Sequence, residues 1–427
     1  MNTAAALLPR PRLGTLDRVL RDRLLARLAD LQYGRLEFED ACGRAVLGTS
    51  GPAVTLTVLA PAFYRAVALG GSVGAAEAYM DGLWRCSAAD LDESAALVEL
   101  VRLLVRNRAL LDGLESGWAR LAGIIRTAWH ATRNNTRAGS RRNIAAHYDL
   151  SNDFFALFLS PDMMYSSALW SDDADTLEAA SMRKLDAVCT RLHLSRNDHV
   201  LEIGTGWGAF ALHAAGHYGC RVTTTTVSRQ QYELARARVH AAGLQDRIEV
   251  RCDDYRDLTG QYDKLVAIEM IEAVGADHLE EFFAAIDRLL LPHGAALLQA
   301  ITIEDHRYRQ ALKSVDFIKR HVFPGSFIPS VHALLAAKTR ASDLALVAFE
   351  DFGDSYARTL AAWRRRFMTR LGDVRALGFD DRFIRLWEFY LAYCEGGFRE
   401  RALGVAHLKF VKPQWRHGRR ETRQWSG

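Results

Sequence analysis

No two of the six cysteines are spaced as CxxC, so neither a zinc ribbon nor a disulfide framework is encoded. Cys42, Cys86, Cys189, Cys220, Cys252 and Cys394 lie far apart, a usage that predicts a reducing, cytoplasmic compartment. No run approaches the roughly 18 apolar residues that cross a bilayer, and Pro9, Arg10, Pro11 and Arg12 interrupt the short apolar start before a signal-peptide core. Any contact with lipid is therefore expected to be peripheral. A GxSxG elbow and a Walker-type GK[ST] loop are also missing, which removes support for hydrolase and kinase chemistry. Charge of one sign is not in excess: the 427 residues carry a net charge of +4, too balanced to indicate nucleic acid. With 49% apolar and 25% charged residues, the chain has material for two or three packed domains. It shows no internal repeat and no low-complexity tract.

Residues 1–115 read as a small mixed domain. Leu16, Val19, Leu20, Leu24, Leu28 and Leu31 recur at helical spacing, with Arg18, Arg21, Arg23 and Arg27 mostly opposite. That pattern predicts a core-facing stripe with a solvated basic face, and the basic face would also suit an anionic surface. Val54, Leu56 and Val58 alternate as in a half-buried strand; Pro61 opens a helix, Gly70-Gly71-Ser72 breaks it, and a second helix follows over 75–83. Arginines accumulate between 102 and 142 with only Asp112 and Glu115 against them, and the polar stretch around Asn134-Asn135 places a basic linker over 116–140. Such a linker is either simply solvated or in contact with phospholipid head groups, as is the arginine-rich tail after Arg416.

From about 195 the pattern becomes short apolar strands alternating with helices, at 199–203, 221–227, 247–252, 264–270 and 296–303. This is the signature of a parallel, doubly wound α/β sheet. Segments rich in Phe, Trp and Arg at 317–323, 363–368 and 383–398 predict helices over the substrate side of that sheet, and 406–411 a final strand. His213 and His217 stand four apart on one helix, but without a third ligand they read as an ordinary histidine pair.

Leu201-Glu202-Ile203-Gly204-Thr205-Gly206-Trp207-Gly208 follows the first strand and opens a helix, the context that a nucleotide-binding loop requires. A dinucleotide pyrophosphate prefers a helix N-terminus free of nearby negative charge, whereas Glu202 suits a cationic ligand such as S-adenosylmethionine. The methyltransferase reading is favoured over the dinucleotide one. Asp253-Asp254 after the third strand fits the adenine contact. The second strand ends in threonines instead of an acid for the ribose hydroxyls, leaving Thr226 and Gln231 as neutral partners.

These residues also carry a family resemblance. The run 143–155 ending in Ser151-Asn152-Asp153-Phe154-Phe155, then Met164-Tyr165-Ser166-Ser167-Ala168, the glycine loop, Asp254-Tyr255-Arg256-Asp257, Glu269-Met270-Ile271-Glu272-Ala273-Val274-Gly275, Phe323-Pro324-Gly325, Phe352-Gly353, Tyr356 and Trp363 resemble the cyclopropane-fatty-acyl-phospholipid synthase family, including its mycolic-acid members. The likeness covers nearly all of 141–410, and 70–80 resembles that family's lipid-engaging N-terminal domain. It implies a Rossmann-like class I methyltransferase domain over 141–427 with helical insertions at about 305–400, after a smaller α+β domain. The implied activity is carbon methylation. A cis double bond of an unsaturated phospholipid acyl chain attacks the sulfonium methyl of S-adenosylmethionine, and the resulting cation loses a proton as a cyclopropane closes.

By the same resemblance Tyr165, Ser166, Glu202, Gly204, Gly206, Thr226, Gln231, Asp253 and Asp254 hold S-adenosylmethionine. A bicarbonate ion that takes the proton would sit at Glu272, Tyr356 and the backbone near Ser167 and Ile301. Tyr165 and Tyr356 also offer aromatic faces to the cation. Three side chains depart from the common pattern: Ser167 replaces a cysteine, and Gln299 and Ala273 replace histidines, while Glu269 adds a carboxylate beside Glu272. These departures leave a methyl- or methylene-branched product as an alternative to the ring. A small-molecule methyltransferase and a non-catalytic lipid-binding protein are further alternatives. The resemblance also implies association with the inner face of the membrane, no nucleic acid, no metal, and a homodimer.

Overall fold

The computed structural model describes residues 13–49, 51, 53–112 and 150–416. The predicted linker at 116–140, the start of the motif at 143–149 and the tail beyond Arg416 lie outside the described residues. The chain divides into two compact units, and the division departs from a single boundary at the linker: Lys313–Val322 and Leu360–Ala402 fall with Met1–Thr132 in the first unit. The expected helical cover at 305–400 is therefore split. The packing of helix Asp381–Arg399 on helix Glu93–Arg106 shows why. A Cβ on Gly396 would lie 2.6 Å from Val101 Cγ1, so only glycine permits this approach. Arg364 and Glu395 bury an ion pair in the same unit (2.9 Å), and Arg364 also donates to Ser94 Oγ. Helical periodicity identifies an apolar face but not the layer it joins.

The first unit holds a four-stranded sheet, β1 (Arg35–Asp40), β2 (Gly43–Gly48), β3 (Ala53–Val58) and β4 (Trp84–Ala88), in the order β2-β1-β3-β4. β3 is the strand that alternation predicts. β1 carries Glu37 and Asp40 inward, which hides it from a reading based on apolar residues; Glu37 is bound by Arg35, Arg44 and Thr55, and Asp40 by Arg21 and the Tyr64 hydroxyl. Of the stripe predicted along helix Thr15–Leu28, Leu28 and the following Leu31 are buried, but its start is turned outward. Leu16 and Val19 face solvent, whereas Asp17 is buried, its carboxylate held by Arg65 Nε and Nη2 at 2.8 Å each. That bidentate pair draws the Asp17 face inward in place of the more apolar one. The Gly70-Gly71-Ser72 break is a kink at Gly71 (φ +57°) within Ala62–Met80.

The second unit is built on seven strands: β5 (His199–Ile203), β6 (Arg221–Thr225), β7 (Ile248–Arg251), β8 (Tyr262–Ile268), β9 (Leu290–Ile303), β10 (Ala345–Asp351) and β11 (Leu403–Val411), in the order β10-β11-β9-β8-β5-β6-β7. β5 to β9 run parallel, and β11 is antiparallel to both neighbours. This is the doubly wound α/β sheet that the strand pattern predicts. Its strands carry apolar runs because both faces are covered. Phe282, Phe283 and Ile286 cover one face, and Val188, Leu192 and Phe210 the other; each fully buried aromatic contributes roughly 1.5–3 kcal/mol. The chain leaves β5 toward β6 and β7, then returns to β8 on the opposite side. Strand order thus reverses between β5 and β8, and the crevice at their carboxyl ends is where such sheets take ligands.

Candidate active site

The glycine loop leaves β5 at this crevice. Gly204, Gly206 and Gly208 all have positive φ (+100°, +52° and +88°), and the Gly204 and Thr205 N–H groups donate to the Thr225 carbonyl at the end of β6 (2.9 and 3.0 Å). A Cβ on Gly206 would meet nothing within 4 Å, so this backbone is open to a ligand. The motif around Asn152 supports the loop: Trp207 Nε1 donates to Asn152 Oδ1 (2.7 Å), and the Trp207 ring lies 5.1 Å from that of Phe155.

All nine residues expected to hold the cofactor line one cavity beside this loop. Thr226 Oγ1 donates to Gln231 Oε1 (2.8 Å), Asp253 pairs with Arg251, and both Asp254 oxygens are held by Arg256 (2.8 and 2.7 Å). Tyr165 is packed against Phe155 (5.2 Å between ring centres). Burial pushes the Glu202 carboxyl up to about 8, although Thr224 Oγ1 donates to it (2.6 Å). Lys184, on helix Leu177–Leu192 and fully buried, donates to Ser166 Oγ (2.8 Å); burial lowers its amine to about 8 against the pull of Glu269, Asp162 and Glu202. Nothing in its helical context singled this lysine out in the sequence.

The second cluster adjoins the same cavity, and Glu269, the first residue after β8, lines it. Its backbone is left-handed at φ +47°, a conformation costing a non-glycine residue on the order of 1 kcal/mol, and its N–H donates to the Gln299 carbonyl (2.7 Å). Three donors converge on its carboxylate. Ser167 N–H (2.8 Å) and Gln299 Nε2 (2.7 Å) reach Oε1, and the Tyr356 hydroxyl (2.7 Å) reaches Oε2. Ser167 contributes its backbone here, because its Oγ turns to the Ala168 carbonyl. Glu272 stands apart: its Oε1 accepts from Ile301 N–H (2.6 Å), and its buried Oε2 has no hydrogen-bond partner among the described residues.

Behind Gln299 runs a line of polar groups that sequence reading missed. Gln299 Oε1 meets His407 Nε2 (2.9 Å), His407 Nδ1 meets Arg191, and Arg191 pairs with Glu350. A guanidinium only donates, so Nδ1 accepts and Nε2 carries the proton. Gln299 is thereby fixed with its NH₂ toward Glu269. His407 is neutral, its basicity suppressed by burial and by the Arg191 charge.

Burial raises both glutamates, and their neighbours act in opposite directions. Tyr356, Ser167 and Gln299 pull Glu269 back down, whereas the charge of Glu269 adds to burial at Glu272, which is pushed up to about 8. The three donors on Glu269 favour its carboxylate form, whereas burial and the neighbouring Glu269 charge favour the protonated form of Glu272.

This arrangement bears on the bicarbonate that the resemblance implies. The Ser167 N–H, Gln299 and the Tyr356 hydroxyl are engaged by Glu269, and the Ile301 N–H by Glu272. A second anion would have to displace a carboxylate and share its charge, so the residues present do not fit a free bicarbonate.

Comparison with known proteins agrees with the fold and the loop. A family model described as mycolic acid cyclopropane synthetase matches residues 135–408. The chain is 38% identical over 421 residues to a tuberculostearic acid methyltransferase of Mycobacterium tuberculosis, covering 96% of this chain and 95% of that one. It is 34% identical over 381 residues to the cyclopropane-fatty-acyl-phospholipid synthase of Escherichia coli K12, covering 88% and 92%. Among solved structures, a mycolic acid cyclopropane synthase complexed with SAH and CTAB aligns with a TM-score of 0.60 and 28% identity over 64% of this chain and 98% of that one. With a class I methyltransferase sheet, a glycine loop at its switch point and a family match over most of the second unit, the chain belongs to the mycolic acid cyclopropane synthetase family.

Proposed function

We propose that this protein transfers the methyl group of S-adenosylmethionine to a double-bond carbon of an unsaturated phospholipid acyl chain. The observation that carries this reading is the meeting, at one crevice, of the cavity lined by the nine expected cofactor residues and the carboxylate cluster at Glu269. Glu202 gives the cofactor end a carboxyl group that burial holds up to about 8 and that a bound cation would draw back toward its ionised form, and Gln231, whose Oε1 is occupied by Thr226, keeps its NH₂ for a ribose hydroxyl. An alkene is a weak nucleophile, so the protein's contribution is alignment with the methyl group and exclusion of water. Among the described residues no helix is long and apolar enough to cross a membrane. The exposed Leu16 and Val19, in register with Arg23 on helix Thr15–Leu28, support contact of the first unit with an anionic lipid surface.

Ring closure is the first reading of the product, in line with the E. coli relative. A branched chain is the second, and the tuberculostearic acid methyltransferase, similar over nearly the whole chain, favours it. The deciding experiment incubates the protein with S-adenosylmethionine and vesicles of monounsaturated phospholipid and examines the released acyl chains by mass spectrometry and proton NMR. Both products gain one CH₂. High-field ring protons identify the cyclopropane, vinylidene protons the methylene-branched chain, and unmodified lipid refutes the proposal.

A further inference from the structure

We propose that the Glu269 carboxylate is the built-in base of this site, occupying the cradle where the family resemblance places a bound anion and taking the proton released after methyl transfer. This rests on the methyl-transfer reading above. Three independent observations carry it.

The first is the donor set. A carboxylate offers about four lone-pair sites, and Ser167 N–H, Gln299 and Tyr356 take three of those on Glu269, leaving one on Oε2 for a proton from the cavity that Glu269 lines. The second is the backbone. At φ +47° a glycine would sit without strain, so a glutamate at this position must be retained by what its side chain does. The third is the line from Glu350 through Arg191 and His407, which fixes the Gln299 amide so that it donates to Glu269. Of the two carboxyl groups, Glu269 has three donors and Glu272 one, so the hydrogen bonds favour the negative charge on Glu269.

The electron accounting closes without a further reactant. The alkene π pair bonds to the sulfonium methyl carbon while the C–S pair passes to sulfur, giving S-adenosylhomocysteine and a carbocation. Glu269 takes one proton from the transferred methyl. The released C–H pair closes the ring, or, after a hydride shift onto the cationic carbon, forms a methylene double bond. Glu269 then returns the proton to water. Its three hydrogen bonds spread the carboxylate charge and tether both oxygens, which protects it from being alkylated by the cation. The same base serves either product.

The test uses the full chain, S-adenosylmethionine and vesicles of monounsaturated phosphatidylglycerol, with S-adenosylhomocysteine as readout and buffers either freed of carbon dioxide or supplemented with bicarbonate. The wild type is expected to turn over at the same rate, within about twofold, in both. Glu269→Gly relieves the backbone strain and empties the cradle; it should lose at least about a hundredfold without bicarbonate, bind S-adenosylmethionine normally by calorimetry, and recover at least about tenfold with bicarbonate or formate. Glu269→Gln, which fills the cradle without being a base, should be equally slow and not rescued. A wild type that requires bicarbonate overturns the inference and leaves the methyl-transfer reading standing. A folded Glu269→Gly that stays active without an anion, or that no anion restores, overturns it likewise. A wild type that forms no S-adenosylhomocysteine with any unsaturated lipid overturns both.

Discussion

Replacing Glu272 by glutamine tests the charge assignment of the carboxylate pair through stability, without reference to substrate. In the folded chain Glu272 is pushed up to about 8 by burial and by the charge on Glu269, against an ordinary value of 4.5. Between those values the folded chain holds a proton that the unfolded chain has released. Folding therefore takes up a proton, and the stabilising contribution, complete below the unfolded value, is lost as pH rises toward 8. The slope is about 1.4 kcal/mol per pH unit for one proton. Glutamine matches the protonated acid in shape and charge and keeps an acceptor for Ile301 N–H, but it does not titrate. Urea unfolding of both proteins from pH 5 to 7.5 should show the wild type losing about 3 kcal/mol relative to Glu272→Gln over that span. A difference independent of pH, or one that moves in favour of the wild type as pH rises, would refute the assignment by showing Glu272 ionised in the fold. The same reasoning gives an activity ranking: at pH 7 Glu272→Gln should lose less than about tenfold, far less than Glu269→Gln.

Two further substitutions probe the cofactor loop and the first unit. Gly206→Val places a β-branched residue at φ +52°, with its side chain in open space beside the cavity; S-adenosylmethionine affinity by calorimetry should fall by at least about tenfold while the far-UV circular dichroism is unchanged, and wild-type affinity would contradict the placement of the ligand. Gly396→Ala drives a methyl group against Val101, at a cost of about 1–3 kcal/mol in thermal or urea unfolding, partly recovered by adding Val101→Ala; an unaffected midpoint would contradict the close approach of the two helices.

Much of the second unit is legible in the sequence because its parallel strands are buried on both faces and separated by turn residues. β10 escapes that reading. Its residues alternate between exposed and half-buried at the edge of the sheet, so no buried apolar run marks it. β1 escapes because its buried positions include Glu37 and Asp40, which break the apolar alternation of Leu36 and Phe38 and are held by Arg35, Arg44 and Arg21. The glycine loop is legible because a close backbone approach leaves glycines at fixed spacing. Glu269 was visible as a carboxylate beside Glu272, but its role was not, since the donors that meet it come from residues 167, 299 and 356 and converge only in the folded sheet. A glutamate in a left-handed conformation leaves no mark in sequence either. Lys184, Arg191 and His407 are ordinary in their local patterns and become notable only through what they touch.

The most direct test of the central claim compares formation of S-adenosylhomocysteine on vesicles that differ only in the acyl double bond. The account predicts turnover with cis-monounsaturated phospholipid and none above background with its fully saturated counterpart, because the π pair is the nucleophile. Equal rates on both, or turnover without any lipid, would contradict it.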